Sequence, residues 1–183
     1  MINPENPDQV EAHVEMMLLN TEISNQMYGD IEPPEMLDTE DFVENYDADM
    51  SGDTLTVSAE MGDIEYDFRN AERDTEGALE LFSGVFHNMY DSVFFPLDRL
   101  GVDVDYVNLN VVGNEGKLVH EMSREEILDI DEQAKINTEF RSYGDSPMKT
   151  GEEAFGEEAD MYSERADLYL ESLLGNGEYV TEV

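Results

Sequence analysis

The sequence predicts an α+β fold: a mainly antiparallel sheet of about four strands in two hairpins, helices on one face, and a further helix at each end of the chain. Three observations predict it. Apolar residues recur at helical spacing in some segments, alternate at period two in others, and are separated by breaks rich in glycine or proline. At 183 residues and 40% hydrophobic composition, the chain is long enough to bury a sizeable core.

Asn6 caps the first helix, Pro7 suits its first position, Gln9 can reach back to the cap, and Gly29 stops it. Met16, Leu19, Ile23 and Met27 make one apolar stripe, with Val10 and Val14 beside it, and the stripe is read as core. Pro33 and Pro34 then break the chain before a short helix capped by Asp38. Leu55, Val57, Ala59 and Met61 alternate with polar neighbours, and Ile64, Tyr66 and Phe68 do the same after a turn at Gly62 and Asp63, which together read as a hairpin.

Asp74 opens the most apolar helix, in which Ala78, Leu81, Phe82, Val85, Met89 and Val93 fall at helical spacing and Pro96 is expected to end or kink it. A strand with both faces partly covered follows from Val102 to Val111. Gly113 to Gly116 turn it back into a second strand from Lys117 to Met122. Ser123 and Glu126 form a capping box that opens a helix through Ile127, Leu128 and Ile130.

Residues 1–143 read as the core domain, 144–152 as a linker, and 153–183 as a C-terminal helix with a strand-like tail. Thr150 and Glu153 cap that helix, and Phe155, Ala159, Tyr162, Ala166, Tyr169 and Leu173 share its apolar stripe. The stripe either packs back on the sheet or docks on another subunit. Tyr179, Thr181 and Val183 alternate against Val180, a pattern that suits strand addition to a neighbour or a frayed end. Phe155, Tyr162, Tyr169, Leu173, Tyr179 and Val183 are therefore the candidate interaction residues.

Charge bounds the function. Asp and Glu number 46 against 9 Lys and Arg, a net charge of −37, and the acids are spread along the whole chain. Such a body repels itself at low ionic strength and is relieved by molar salt. The pattern resembles that of proteins from salt-in halophiles and their viruses. There is no basic patch for nucleic acid or an anionic membrane, and no run approaches the roughly 18 apolar residues of a membrane span. The opening "MINPENPDQV" lacks the basic and apolar parts of a leader, so the expectation is a soluble protein made in the cytoplasm of a halophile, or of a halophile infected by a virus. With no cysteine, disulfides and thiolate chemistry are absent.

One stretch suggests chemistry. Counting Asp47 as position 1 of a calcium loop puts Asp49 at 3, Ser51 at 5, Gly52 at 6 and Asp53 at 7, with Val43 and Tyr46 placed like the apolar residues of an incoming helix. Position 12 is Ser58, which cannot chelate with two oxygens, and the residues from Leu55 leave as a strand. What remains is a weak surface site for Ca²⁺, Mg²⁺ or Na⁺ on Asp47, Asp49, Ser51 and Asp53, or a plain Ser-Gly turn. "GDSPMKT" lacks the glycines of a phosphate loop, and His13, His87 and His120 have no zinc-site spacing. No cofactor is required on this reading.

The functional expectation is a non-catalytic structural or adaptor subunit of a larger assembly in a halophile, a virus particle being one setting, which works through protein partners or self-association. A small binding module for a cation or ligand is the alternative, and a carboxylate-based enzyme is third.

Overall fold

The computed structural model describes residues 3–28, 43–61, 68, 71–142 and 151–181. Among them are four helices, α1 (Pro7–Tyr28), α2 (Thr75–Arg99), α3 (Arg124–Ser142) and α4 (Gly151–Asn176). The strands are β1 (Val43–Ser51), β2 (Thr54–Met61), β3 (Tyr106–Val112), β4 (Lys117–Ser123) and β5 (Glu178–Val180). They form one sheet in the order β1-β2-β3-β4-β5.

The sheet is mainly antiparallel, as expected, but it has five strands where about four were expected, and one of its four pairings is parallel. β2 and β3 run parallel because α2 lies between them in the chain as a crossover, whereas a short turn would have made them antiparallel. The first hairpin also differs from the expected one. β1 pairs with β2, so residues 43–51 supply the partner strand where residues 64–68 were expected. Ser51 faces Thr54 across a two-residue loop in which Gly52 has φ +68°, the positive angle that tight hairpin turns demand. The hairpin expected at Gly62 and Asp63, the helix capped by Asp38, and the linker from residue 144 to Thr150 lie outside the described residues.

Register divides the sheet into two chemically distinct faces. The inner face carries the rows Tyr46, Ala59, Val111, Leu118, Tyr179; then Ala48, Val57, Leu109, His120; then Met50, Leu55, Val107, Met122. Apart from His120, a buried polar residue, these residues belong to the same core as the buried sides of the helices. Asp47, Ser58, Asn110, Val119 and Glu178 make one row of the opposite face, and Asp49, Thr56, Asn108 and Glu121 another. β3 turns Val107, Leu109 and Val111 into the core, and on its other face Asn110 is buried as well, so both faces are partly covered, as expected. Its outward parity, Tyr106, Asn108 and Asn110, is polar because that side meets the polar residues of its neighbours.

α2 is the central helix, with Phe82, Phe86, Met89, Tyr90, Val93 and Phe94 among its buried residues. Each such side chain contributes about 1.5–3 kcal/mol by leaving water. Its start follows the sequence: Asp74 Oδ1 accepts from Gly77 N at 3.0 Å. Its end does not. The helix passes Pro96 and stops at Leu100, where Gly101 at φ +73° lets its own N–H reach Asp98 O (3.0 Å) and the Val102 N–H reach Leu97 O (3.1 Å). This glycine cap ends the helix one turn later than the proline would, and Leu97 and Val102 are both buried around it.

α1 buries Val10, Val14 and Leu18 against β1 and α2, while Met16 and Leu19 stay half exposed. The core face is thus rotated from the expected stripe of Met16 and Leu19 to the one that was placed beside it. α1 also guards the sheet edge: Glu11 Oε1 accepts from the outward N–H of Met50 on β1 at 2.8 Å. At the other edge β5 pairs antiparallel with β4, Tyr179 facing Leu118. The tail therefore adds its strand to the chain's own sheet.

Candidate functional site

Two groupings of chemically able side chains exist among the described residues. The first lies inside the helical layer, where α2, α3 and α4 meet. Arg165 on α4 donates through Nη1 to Asp131 on α3 and through Nη2 to Asp91 on α2, each at 3.0 Å. All three side chains are at most 15% exposed. Lys135 adds an ion pair to Asp131, His87 Nε2 lies 3.4 Å from Asp91, and the Arg165 guanidinium sits over the Phe95 ring. One arginine thus ties three helices together.

Next to this tie, His120 projects from β4 into the core. Its Nδ1 meets the Tyr90 hydroxyl at 2.9 Å and its Nε2 meets Ser172 Oγ at 3.3 Å. Burial pushes its pKa down to about 4, so the ring is neutral at ordinary pH. Burial likewise raises Tyr90 and Tyr169 above the usual phenol range, and the two rings stack at 5.0 Å. A serine beside a histidine suggests nucleophilic chemistry, but here both ring nitrogens are engaged within the core and the imidazole has been made a weak base. The arrangement holds α4 to the sheet.

The His120 shift has a stability consequence. Between its unfolded pKa of about 6.5 and its folded value, the unfolded chain binds a proton that the folded chain refuses. Stability falls as pH drops through that window and is unaffected above it. A His120→Gln variant lacks this dependence, so the urea midpoint of the wild type in molar KCl should fall relative to the variant's between pH 7.5 and pH 4.5, by an amount equivalent to about 2.5 kcal/mol. A constant gap would show that His120 titrates normally.

The second grouping is on the surface. Asp53 O accepts from Asp105 N at 2.8 Å and Tyr106 N at 3.3 Å, and Arg124 N donates to Asp105 O at 2.8 Å. These bonds fasten the β1–β2 turn, the start of β3 and the start of α3 into one corner. The capping box sets that helix start: Glu126 Oε2 accepts from Ser123 N at 2.8 Å and Oγ at 2.7 Å, and those bonds lower the Glu126 pKa. Asp105, Tyr106, Ser123, Arg124, Leu128 and Asp129 line an open depression of about 410 Å³ there. Tyr106 is 45% and Leu128 39% exposed, and the Arg124 guanidinium pairs with Asp98 at the side.

Comparison with known proteins returned no match to any family model, curated protein or solved structure. The site is therefore read from its own chemistry.

The residues expected to bind a cation are placed differently from a calcium loop. Asp47, Asp49 and Ser51 lie on β1, so an extended strand stands where Val43 and Tyr46 suggested an incoming helix. Same-face residues on a strand recur about every 6.8 Å, whereas calcium needs its oxygens within about 2.6 Å. Asp47, Asp49 and Ser51 form a row, and Asp53 lies beyond them in the turn. Among the described residues no group of three or more carboxylates or histidines converges as metal ligands would.

Of the expected interaction residues, Tyr169 and Leu173 lie in the chain's own core at 3% and 2% exposure. Tyr179 is partly buried against the same core and donates to Glu115 O at 3.1 Å. Phe155 and Tyr162 sit on α4 at positions whose side chains lie outside the described residues, as does Val183. Tyr106, Arg124 and Leu128 were not anticipated as surface features. The available signal was Tyr106 itself, an aromatic at the polar parity of its strand.

Proposed function

We propose that this chain is a non-catalytic structural or adaptor subunit of a larger protein assembly in a halophile, a virus particle being one setting. The observation that supports this reading is the pairing of exposed Tyr106 and Leu128 beside Arg124 at one rigid corner of an otherwise carboxylate-rich body. Tyrosine and arginine are the side chains most often found anchoring protein interfaces, and molar salt strengthens the burial of apolar surface while screening the acids. Strand addition is a poor route for assembly here, because Glu11 guards β1 and the chain's own β5 covers part of β4. No helix among the described residues is long and apolar enough to cross a membrane, which agrees with contact through the protein surface.

The test is association in molar KCl, followed by sedimentation and by co-purification with the tagged chain. Leu128→Asp puts a charge into the contact and should weaken association about tenfold or more while leaving the fold intact. Wild type and Leu128→Asp that both sediment at the 20.8 kDa of a single chain, with nothing co-purifying, would refute the reading.

A further inference from the structure

We propose that the helical layer encloses a bound water molecule between Asp91, Arg165 and Tyr169. Three buried side-chain atoms of this one cluster have no hydrogen-bond partner: Asp91 Oδ1, Arg165 Nε and the Tyr169 hydroxyl. Leaving three polar groups dry in one place is costly, and buried polar atoms without protein partners are usually met by internal solvent. Asp91 and Arg165 are in direct contact. Arg165 Nη2 already donates to Asp91 Oδ2 at 3.0 Å, so Nε and Oδ1 are the remaining donor and acceptor of one contact. Tyr169 follows Arg165 by one helical turn on α4, is 3% exposed, and stacks on Tyr90 from the same helix as Asp91.

The set of atoms selects the ligand. It offers one acceptor, one donor, and one hydroxyl that serves as either. Chloride would accept from Arg165 and Tyr169 but be repelled by the Asp91 carboxylate. Potassium or sodium would meet Asp91 but also the Arg165 guanidinium. Water satisfies all three by accepting from Arg165 Nε–H, donating to Asp91 Oδ1, and sharing a bond with the Tyr169 hydroxyl. The site thus takes a small neutral molecule in a protein whose composition suits concentrated ions, and the water completes the tie between α2 and α4.

Crystals of the full chain grown from molar KCl and soaked in rubidium bromide test this directly. The expected result is one ordered peak within hydrogen-bond distance of the three atoms, with no anomalous signal from rubidium or bromide. Tyr169→Phe should then raise the unfolding equilibrium constant about fivefold and remove one long-lived water from the oxygen relaxation dispersion of the protein in solution. Arg165 Nε in direct contact with Asp91 Oδ1 and no peak between them would overturn the proposal, as would an anomalous peak at the site. So would a Tyr169→Phe variant unchanged in both solution measurements.

Discussion

Dialysed from molar KCl into dilute buffer, the protein is expected to unfold, losing its near-ultraviolet circular dichroism in a single transition. The cause is the excess of 46 acidic over 9 basic residues, held in one body. At 1 M salt the screening length is about 3 Å, so only charges in contact interact; at 0.01 M it is about 30 Å, and the whole molecule feels itself. Local pairs sharpen this. Glu125 and Asp129 on α3, and Asp167 and Glu171 on α4, are exposed like charges one turn apart, each destabilising its helix when unscreened. The outward face of the β1–β2 hairpin adds Asp47, Asp49 and Glu60, all exposed. A typical domain has only about 5–15 kcal/mol to lose, which repulsion of this density readily exceeds. Equal stability in dilute buffer and in molar KCl would refute the halophilic reading of the composition.

The second large effect is expected at Arg165. Arg165→Met keeps much of the side-chain volume but leaves Asp91 and Asp131 in the helical layer without their shared guanidinium, with the half-exposed Lys135 beside Asp131 and His87 beside Asp91. Removing one partner of a buried ionic network costs about 3–5 kcal/mol, because the remaining charges stay dehydrated without their counterion. The loss should appear as a lower urea midpoint at unchanged slope in molar KCl. Adding Asp91→Asn and Asp131→Asn to Arg165→Met should restore most of it, since the uncompensated charges are then gone. A single variant that loses less than about 1 kcal/mol would show that the network is solvated and incidental.

The outcome at β1 explains which parts of the fold and site were legible beforehand. Helix ends marked by side-chain caps were readable, because Asp74, and Ser123 with Glu126, act within four residues of the backbone they cap. Strands β2, β3 and β4 were readable from alternation. β1 was not, because its acidic residues at 47, 49 and 53 carry the odd-number spacing of a calcium loop, and that spacing is also the period of a strand's outward face. The inward residues Tyr46, Ala48 and Met50 carried the deciding pattern. Parallel pairing of β2 with β3 depends on how α2 crosses the sheet, which no local spacing encodes. The half-exposed stripe of α1 misled for a related reason: Met16 and Leu19 are as apolar as Val10 and Val14, and only packing against β1 chooses between the faces. The surface corner at Tyr106 joins residues from three separate elements, so its lining exists only after folding.

Partner binding through this corner is tested by hydrogen exchange in molar KCl on the chain in its native assembly and on the chain alone. Assembly should slow exchange at residues 105–106 and 123–129 and leave β1 and the core of α2 unchanged. Protection gained along β1 or over the outward side of α1, with residues 123–129 exchanging as before, would contradict it.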